Sequence, residues 1–409
     1  MARSALSSCL HSLGALGVVA VLAGCSPSTP DVLKIGVLAP QTGTFALRGK
    51  DLVDGAQLAV EELNAANYKI RGKVVRLELV TVDDKGEVDG ATQGAEKLLA
   101  DGVIAIIGPL NTPQAVPVVP IVAANGTPHF FTATGAELTG LGKGNAFRLL
   151  ANDDLQGKAL SVLATNVKAQ RIATIVEAGS YGRGLNKAFE AALPKTGAQI
   201  VASLEVGTKD NVSAEMAAKV KAANADTVVL LAREPQLLSL FAALKQVGHT
   251  DVTVLGTNVI RNKNVAALPI PVRALYATAT AIDANEFPNG KLFLASFSAK
   301  YGGAAPVWGA HYAYDAVYAM ADAARRSDSL KSADLLATLK RIDPMTRVLQ
   351  NMRFTETGEQ RYPNIGFFKV DRGVWSLQLV AANWWLTTGR CRTAPASRAA
   401  RPAARSACR

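Results

Sequence analysis

From Asp31 onward the chain alternates short apolar strands with amphipathic helices, and it does so twice. That pattern commits it to mostly parallel sheets covered by helices on both faces. The first strand reads at 33–39, and Leu52, Ala56, Ala59, Val60 and Leu63 then recur at helical spacing, which predicts a helix over 51–64 with one buried face. Strands follow at 74–82, 103–107 and 128–131, with a helix at 89–100. The alternation restarts after Asn152: helices at 153–167, 185–193, 213–223 and 236–247 are interleaved with strands at 171–176, 199–204, 227–231 and 252–255. A strand over 275–281, long helices over 290–301 and 307–325, and a hairpin of 367–370 with 375–379 around Asp371-Arg372-Gly373 complete the chain.

A length of 409 residues suits two domains of ordinary size with tails. The N-terminus carries Arg3, an apolar stretch over 13–22, and then Leu22-Ala23-Gly24-Cys25. The stretch is short for a membrane span and has the layout of an export signal, and the four residues resemble the bacterial lipobox. Cys25 is therefore expected to be lipidated after removal of residues 1–24, with 25–30 as a tether. A buried N-terminal helix with an incidental cysteine is the alternative. No later apolar run is long enough to cross a bilayer.

The formal charge of +11 invites a nucleic-acid reading until its distribution is considered. Setting aside Arg3 and the six arginines after Ala382 leaves 37 basic residues against 33 acidic ones. No basic stripe with interleaved aromatics survives, so a nucleic-acid partner is not expected. Residues 382–409, rich in alanine, arginine, proline and serine, are expected to form a disordered basic tail. Cys9, Cys25, Cys391 and Cys408 all lie outside the body, which must be stable without disulfides.

In open parallel sheets, ligands bind outside the carboxyl ends of the strands, and the residues there are polar. They are Gln41-Thr42-Gly43, Asp83-Asp84, Gly108-Pro109-Leu110-Asn111-Thr112 and Thr132-Ala133-Thr134, then Ser180-Tyr181-Gly182, Arg233-Glu234 and Thr257-Asn258. Thr112-Pro113 reads as an N-cap followed by the first helical residue, which would turn free amide hydrogens toward a cleft and favour a carboxylate there. An N-cap with no ligand is the alternative. Pro117 and Pro120 are expected to make that helix irregular.

Enzyme signatures are missing. There is no Gly-Lys-Ser/Thr loop, no zinc-helix His-Glu pair, no Gly-x-Ser-x-Gly and no Ser-x-x-Lys. His129, His249 and His311 stand singly, and Asp83-Asp84 suits a solvated turn or helix cap better than an acid–base pair or metal site. No catalyst, metal or cofactor is assigned.

The run LKIGVLAPQTGTFALRGKDLVDGAQLAVEELNA, with GPLNT, FTATGAELTG, SYGRGLNKAFE and WGAHYAYDAVYAMADA in order, resembles the bacterial leucine/isoleucine/valine-binding proteins from about Asp31 to about Val380. The resemblance implies an α/β fold of two lobes, the type I periplasmic binding protein fold. Each lobe is then a mostly parallel sheet flanked by helices, and the chain crosses the hinge three times. Lobe I is placed at 31–150 with 280–358, and lobe II at 151–279 with 359–381. By the same resemblance, Thr112 and Thr134 grip a ligand carboxylate, the Thr132 carbonyl accepts from an ammonium, and Tyr181 closes from lobe II. An acidic ammonium partner of the family falls on Asn258, and its aromatic contacts fall on Arg233 and Arg48. Gly86 and Asn111 stand where the family has a disulfide, Asn111 also bordering the ligand. A pocket so altered should weaken zwitterionic aliphatic amino acids relative to acids or amides. The implied role is the solute-binding component of an ABC importer, a monomer anchored to the membrane by lipid at the periplasm or cell surface, whose partners are a small solute and ABC permease subunits. A sensory receptor of the same fold is the alternative.

Overall fold

The computed structural model describes residues 29–382, except 194–196, 345 and 351. The expected signal segment, Cys25 and the basic tail beyond 382 lie outside the described residues.

The first half alternates as read. β1 (Val32–Ala39) leads to α1 (Ala46–Ala65), a small hairpin of β2 (Lys69–Ile70) and β3 (Lys73–Val74), and β4 (Arg76–Asp83). Then come α2 (Val88–Ala100), β5 (Ala105–Ile107), α3 (Thr112–Asn125), β6 (His129–Phe131), α4 (Leu138–Leu141) and β7 (Ala146–Arg148). The strands form one parallel sheet in the order β4-β1-β5-β6-β7. Its order reverses at β1, so the ends of β1 and β5 splay apart and open a crevice in front of α3.

The second half opens with α5 (Asp153–Asn166), β8 (Arg171–Glu177), α6 (Ser180–Ala192), β9 (Gln199–Val206) and α7 (Ala214–Ala222). It continues with β10 (Thr227–Leu231), α8 (Glu234–Gln246), β11 (Thr253–Gly256), α9 (Lys263–Ala267) and β12 (Ala274–Ala279). The chain then returns through α10 (Gly290–Lys300), α11 (Ala310–Arg326) and α12 (Ser332–Arg341), whose apolar faces join the first sheet's core through Phe293, Tyr312, Val317 and Leu335. It comes back once more for β13 (Asn364–Asp371) and β14 (Val374–Ala382), an antiparallel pair added to the edge of a parallel array, in the order β14-β13-β12-β11-β10-β8-β9. Their turn needs two left-handed residues, supplied by Arg372 and Gly373 at φ 48° and 78°. Three crossings thus join two sheets, each with its own core.

Four sequence readings are corrected. The first long helix begins at Ala46 rather than at 51, which puts Arg48 on its first turn. Helix α6 starts at Ser180, so Tyr181 is helical rather than in the preceding loop. Asn111, not Thr112, is the N-cap of α3; Thr112 is its first helical residue and Pro113 its second. Finally, α3 runs unbroken through Pro117 and Pro120, because burial of Ala115, Val118, Val119 and Val122 holds it where two backbone donors are lost. In place of a disulfide, Gln114 Nε2 in α3 donates to the Gly86 carbonyl, tying together the two segments that the bridge would have joined.

Candidate functional site

Arg48, Asn111, Thr112, Thr132, Thr134, Tyr181, Arg233 and Asn258 all line one cavity, together with Leu110, Pro113, Val259 and Trp308. The cavity lies where the carboxyl ends of the two sheets face each other, as the switch-point rule requires.

The first sheet supplies hydroxyls and amides. Asn111 caps α3 by backbone conformation alone, with no side-chain hydrogen bond, so the first-turn amides of Thr112 and Gln114 remain donors at the positive end of a fourteen-residue helix. The Thr112 hydroxyl accepts from the Gly135 amide at 3.1 Å and keeps its own proton to give. Thr132 Oγ1 is 3.5 Å from the Leu110 carbonyl, too long for a strong bond. The Thr134 carbonyl accepts from the Asp153 amide at 2.8 Å. Such a set suits an anionic oxygen pair.

Lobe II supplies the opposing wall. The Tyr181 hydroxyl shares a hydrogen bond with Thr257 Oγ1 at 2.8 Å, and Asn258 Oδ1 accepts from Gln156 Nε2 at 2.9 Å. Burial, above all, pushes the Tyr181 hydroxyl's pKa up, so it stays protonated. Arg233 is tied to a carboxylate of its own lobe. Its Nε and Nη2 form a forked ion pair with Glu177 at 2.6 and 3.0 Å, and its guanidinium stacks over Phe45 of the other lobe at 4.9 Å. Glu177 is fully buried, so Arg233 serves first as the counter-charge of a strand-end carboxylate rather than as a free cation.

Two residues escaped the sequence reading. Trp308 forms part of the wall because Asp51 in α1 accepts from the amides of Val307, Trp308 and Gly309 at 3.1, 2.6 and 3.1 Å, clamping the loop before α11. Asp51 sits at about 6, burial outweighing those three donors. Asp153, the first residue of α5, is 1% exposed, and its carboxylate oxygens lack well-formed hydrogen bonds. Burial pushes its pKa up to about 7; the Thr134 hydroxyl and the Arg148 guanidinium offset this only in part. Asn152-Asp153-Asp154 reads as an ordinary capped helix start, and nothing local in it announces a buried charge.

The remaining candidates are structural. Asp83 accepts from the amides of Gln41, Thr42 and Lys85, and Asp84 from that of Gly86, as expected of turn and cap carboxylates. His129 and His311 are buried and held neutral, at about 4 and about 3. Among the described residues no group of three His, Cys, Asp or Glu could hold a metal ion.

Two α/β lobes facing each other across a polar cleft have the architecture of a solute-binding protein. The chain belongs to the periplasmic binding protein family, whose family model matches residues 32–374. It is similar to Leu/Ile/Val-binding protein homolog 3 of Brucella melitensis, at 30% identity over 89% of this chain and 98% of that one. It is also similar to the Leu/Ile/Val-binding protein BraC3 of Rhizobium johnstonii, at 29% over 83% and 92%. The crystal structure of the leucine binding protein LivK from Thermotoga maritima superposes with a TM-score of 0.74 at 22% identity, covering 86% of this chain and 99% of that one. The fold is thus the two-lobe type I periplasmic binding fold. Proteins of this family bind small solutes outside the cytoplasm, work with ABC transporter permeases and are not enzymes.

Proposed function

We propose that the protein is the extracytoplasmic receptor of an ABC importer for a small carboxylate-bearing solute, an amino acid or a related organic acid or amide. It acts as a lipid-anchored monomer. The observation that carries this reading is the convergence of Thr112, Thr134 and the first turn of α3, which has no side-chain cap hydrogen bond, from one lobe with Tyr181 and Asn258 from the other. Residues 31–150 with 280–358 form the lobe that holds the carboxylate, and 151–279 with 359–381 the lobe that closes over it. Thr112 and Thr134 donate to the carboxylate, Thr132 offers its carbonyl, and Asn111, Arg48, Arg233 and Asn258 border the rest of the solute.

Thermal-shift screening of amino acids, organic acids and amides is expected to raise the melting temperature with one class, since a ligand that binds only the folded state stabilises it by mass action. Thr134→Ala should then weaken that ligand about tenfold to a hundredfold, the loss of a hydrogen bond to a charged group being about 1.5–3 kcal/mol. Wild-type affinity in this variant would mean that the carboxylate sits elsewhere. For the anchor, Cys25→Ala should move the protein from the membrane fraction to the soluble one, and membrane retention of the variant would sink the lipid anchor.

A further inference from the structure

Four arginines surround the cleft, and three have carboxylates. Arg148 pairs with Glu359 and Arg233 with Glu177, while Arg261 pairs with Asp283 at 3.0 and 2.9 Å. Arg48 has no carboxylate within ion-pair distance among the described residues. Only its Nη2 is engaged, donating to the backbone carbonyls of Asn258 and Val259 across the cleft at 3.1 and 3.3 Å. Nε and Nη1 have no protein partner among the described residues. The guanidinium lies 5.7 Å from the Trp308 ring centre, and that ring is fixed by the Asp51 clamp, so the charge is held in place rather than free to swing into solvent. Its surroundings disfavour it: burial first, then the like charge of Arg261, pull its pKa down to about 10, with Arg233 adding to the shift and Tyr181 and Glu234 opposing it. Glu234 is itself hydrogen-bonded to Asn262. A cation so placed, with two open donors on a cavity wall, lacks one thing, an anion.

We infer that Arg48 is a second anion subsite, opposite the Thr112–Thr134 head site, and that the solute carries an acidic group at each end. The dicarboxylates and the acidic amino acids are the class that fits. This rests on the solute-receptor reading above and sharpens it. The head carboxylate meets neutral hydroxyls and a helix terminus, whereas the distal acid meets the guanidinium. The amide isostere of such a solute keeps its size and its head group but gives Arg48 only a neutral oxygen.

The test is calorimetric titration with matched pairs: L-glutamate with L-glutamine, L-aspartate with L-asparagine, and succinate with succinamate. In the wild-type protein the acid of at least one pair should bind tenfold or more tighter than its amide. Arg48→Met keeps an apolar stem against Trp308 and should collapse that ratio toward one by weakening the acid. Arg48→Lys should restore part of it. Amides that bind as tightly as their acids, or an acid preference that survives Arg48→Met, would overturn the subsite. Equal loss of both members in Arg48→Met would also overturn it, because Arg48 would then act only by holding the lobes together through Asn258 and Val259. If only monocarboxylates from the wider screen bind, the subsite is wrong and the receptor reading stands; if no compound in either set binds, the receptor reading itself fails.

Discussion

Replacing Arg148 by Met is expected to cost about 3–5 kcal/mol of stability and to weaken solute binding well beyond what the stability loss explains. Arg148 closes β7 and is completely buried, the largest such side chain among the described residues. Its guanidinium does three things at once. Nη1 donates to the Ala133 carbonyl and Nη2 to that of Gly135 at 2.7 Å, so both neighbours of Thr134 hang from it. Nε reaches both oxygens of Glu359 at 3.1 Å, at the start of the last crossing between lobes. Glu359 in turn accepts from Thr139 Oγ1 at 2.7 Å and Asn152 Nδ2 at 3.3 Å. The network thus spans the head site and two of the crossings. A methionine fills the volume but strands two buried carbonyls and a largely buried carboxylate, and an unpaired buried group is what makes such a loss large. Adding Glu359→Gln should recover part of the stability, since the stranded charge goes with it, while the Thr134 loop stays unmoored and binding stays weak. Urea denaturation of both variants, with titration of the identified solute, checks this. A single variant within 1 kcal/mol of the wild type would show that packing, not the ion pair, holds the loop.

The strands were legible because each is a short apolar run bounded by polar turn residues, and their ends pointed to Thr112, Thr134, Tyr181 and Asn258, which do meet around one cavity. Some of the short elements were not legible. β7 has three residues, and the hairpin of β2 and β3 has two on each side, too few to show a period. The start of α1 escaped because Phe45 provides no capping side chain and residues 46–50 bring no apolar stripe. The position of Arg48 in the pocket therefore follows only from the family resemblance, because nothing local marks it as lying on a helix turn that faces the other lobe. Electrostatic pairing was the least legible feature. Glu177 and Arg233 lie 56 residues apart, Asp51 and the Trp308 loop about 256, and Arg148 and Glu359 211; each pairing exists only because a strand order brings two distant segments together. Nothing in the sequence around Arg233 points to its partner, Glu177, the last residue of β8.

Asp153→Asn should make the solute-free protein more stable, with a gain that grows with pH. The carboxyl ionises at about 7 in the folded protein against an ordinary 3.8, so the folded state holds its proton where the unfolded chain has lost it. Below pH 4 both forms are protonated and the group costs nothing on this account. As pH rises from 4 to 7 the unfolded chain is favoured progressively, and above 7 the full penalty applies, at most about 4 kcal/mol at 1.36 kcal/mol per pH unit. Asparagine has no such penalty. The stability gap between Asp153→Asn and the wild type should therefore be about 2–3 kcal/mol wider at pH 8 than at pH 5. Asp51, Asp84 and Asp315, each raised by burial to about 6, bend the wild-type curve the same way but cancel in the difference between the two proteins. His129 and His311, held neutral, act in the opposite sense below pH 6.5 and cancel likewise. Parallel urea titrations of the two proteins at pH 5, 6, 7 and 8 read the difference directly. A gap independent of pH would mean that Asp153 finds a partner in solution and ionises normally. A gap that widens as expected would mark a carboxylate held at a cost to the fold beside Thr134, where a purely structural position would have no reason to keep one.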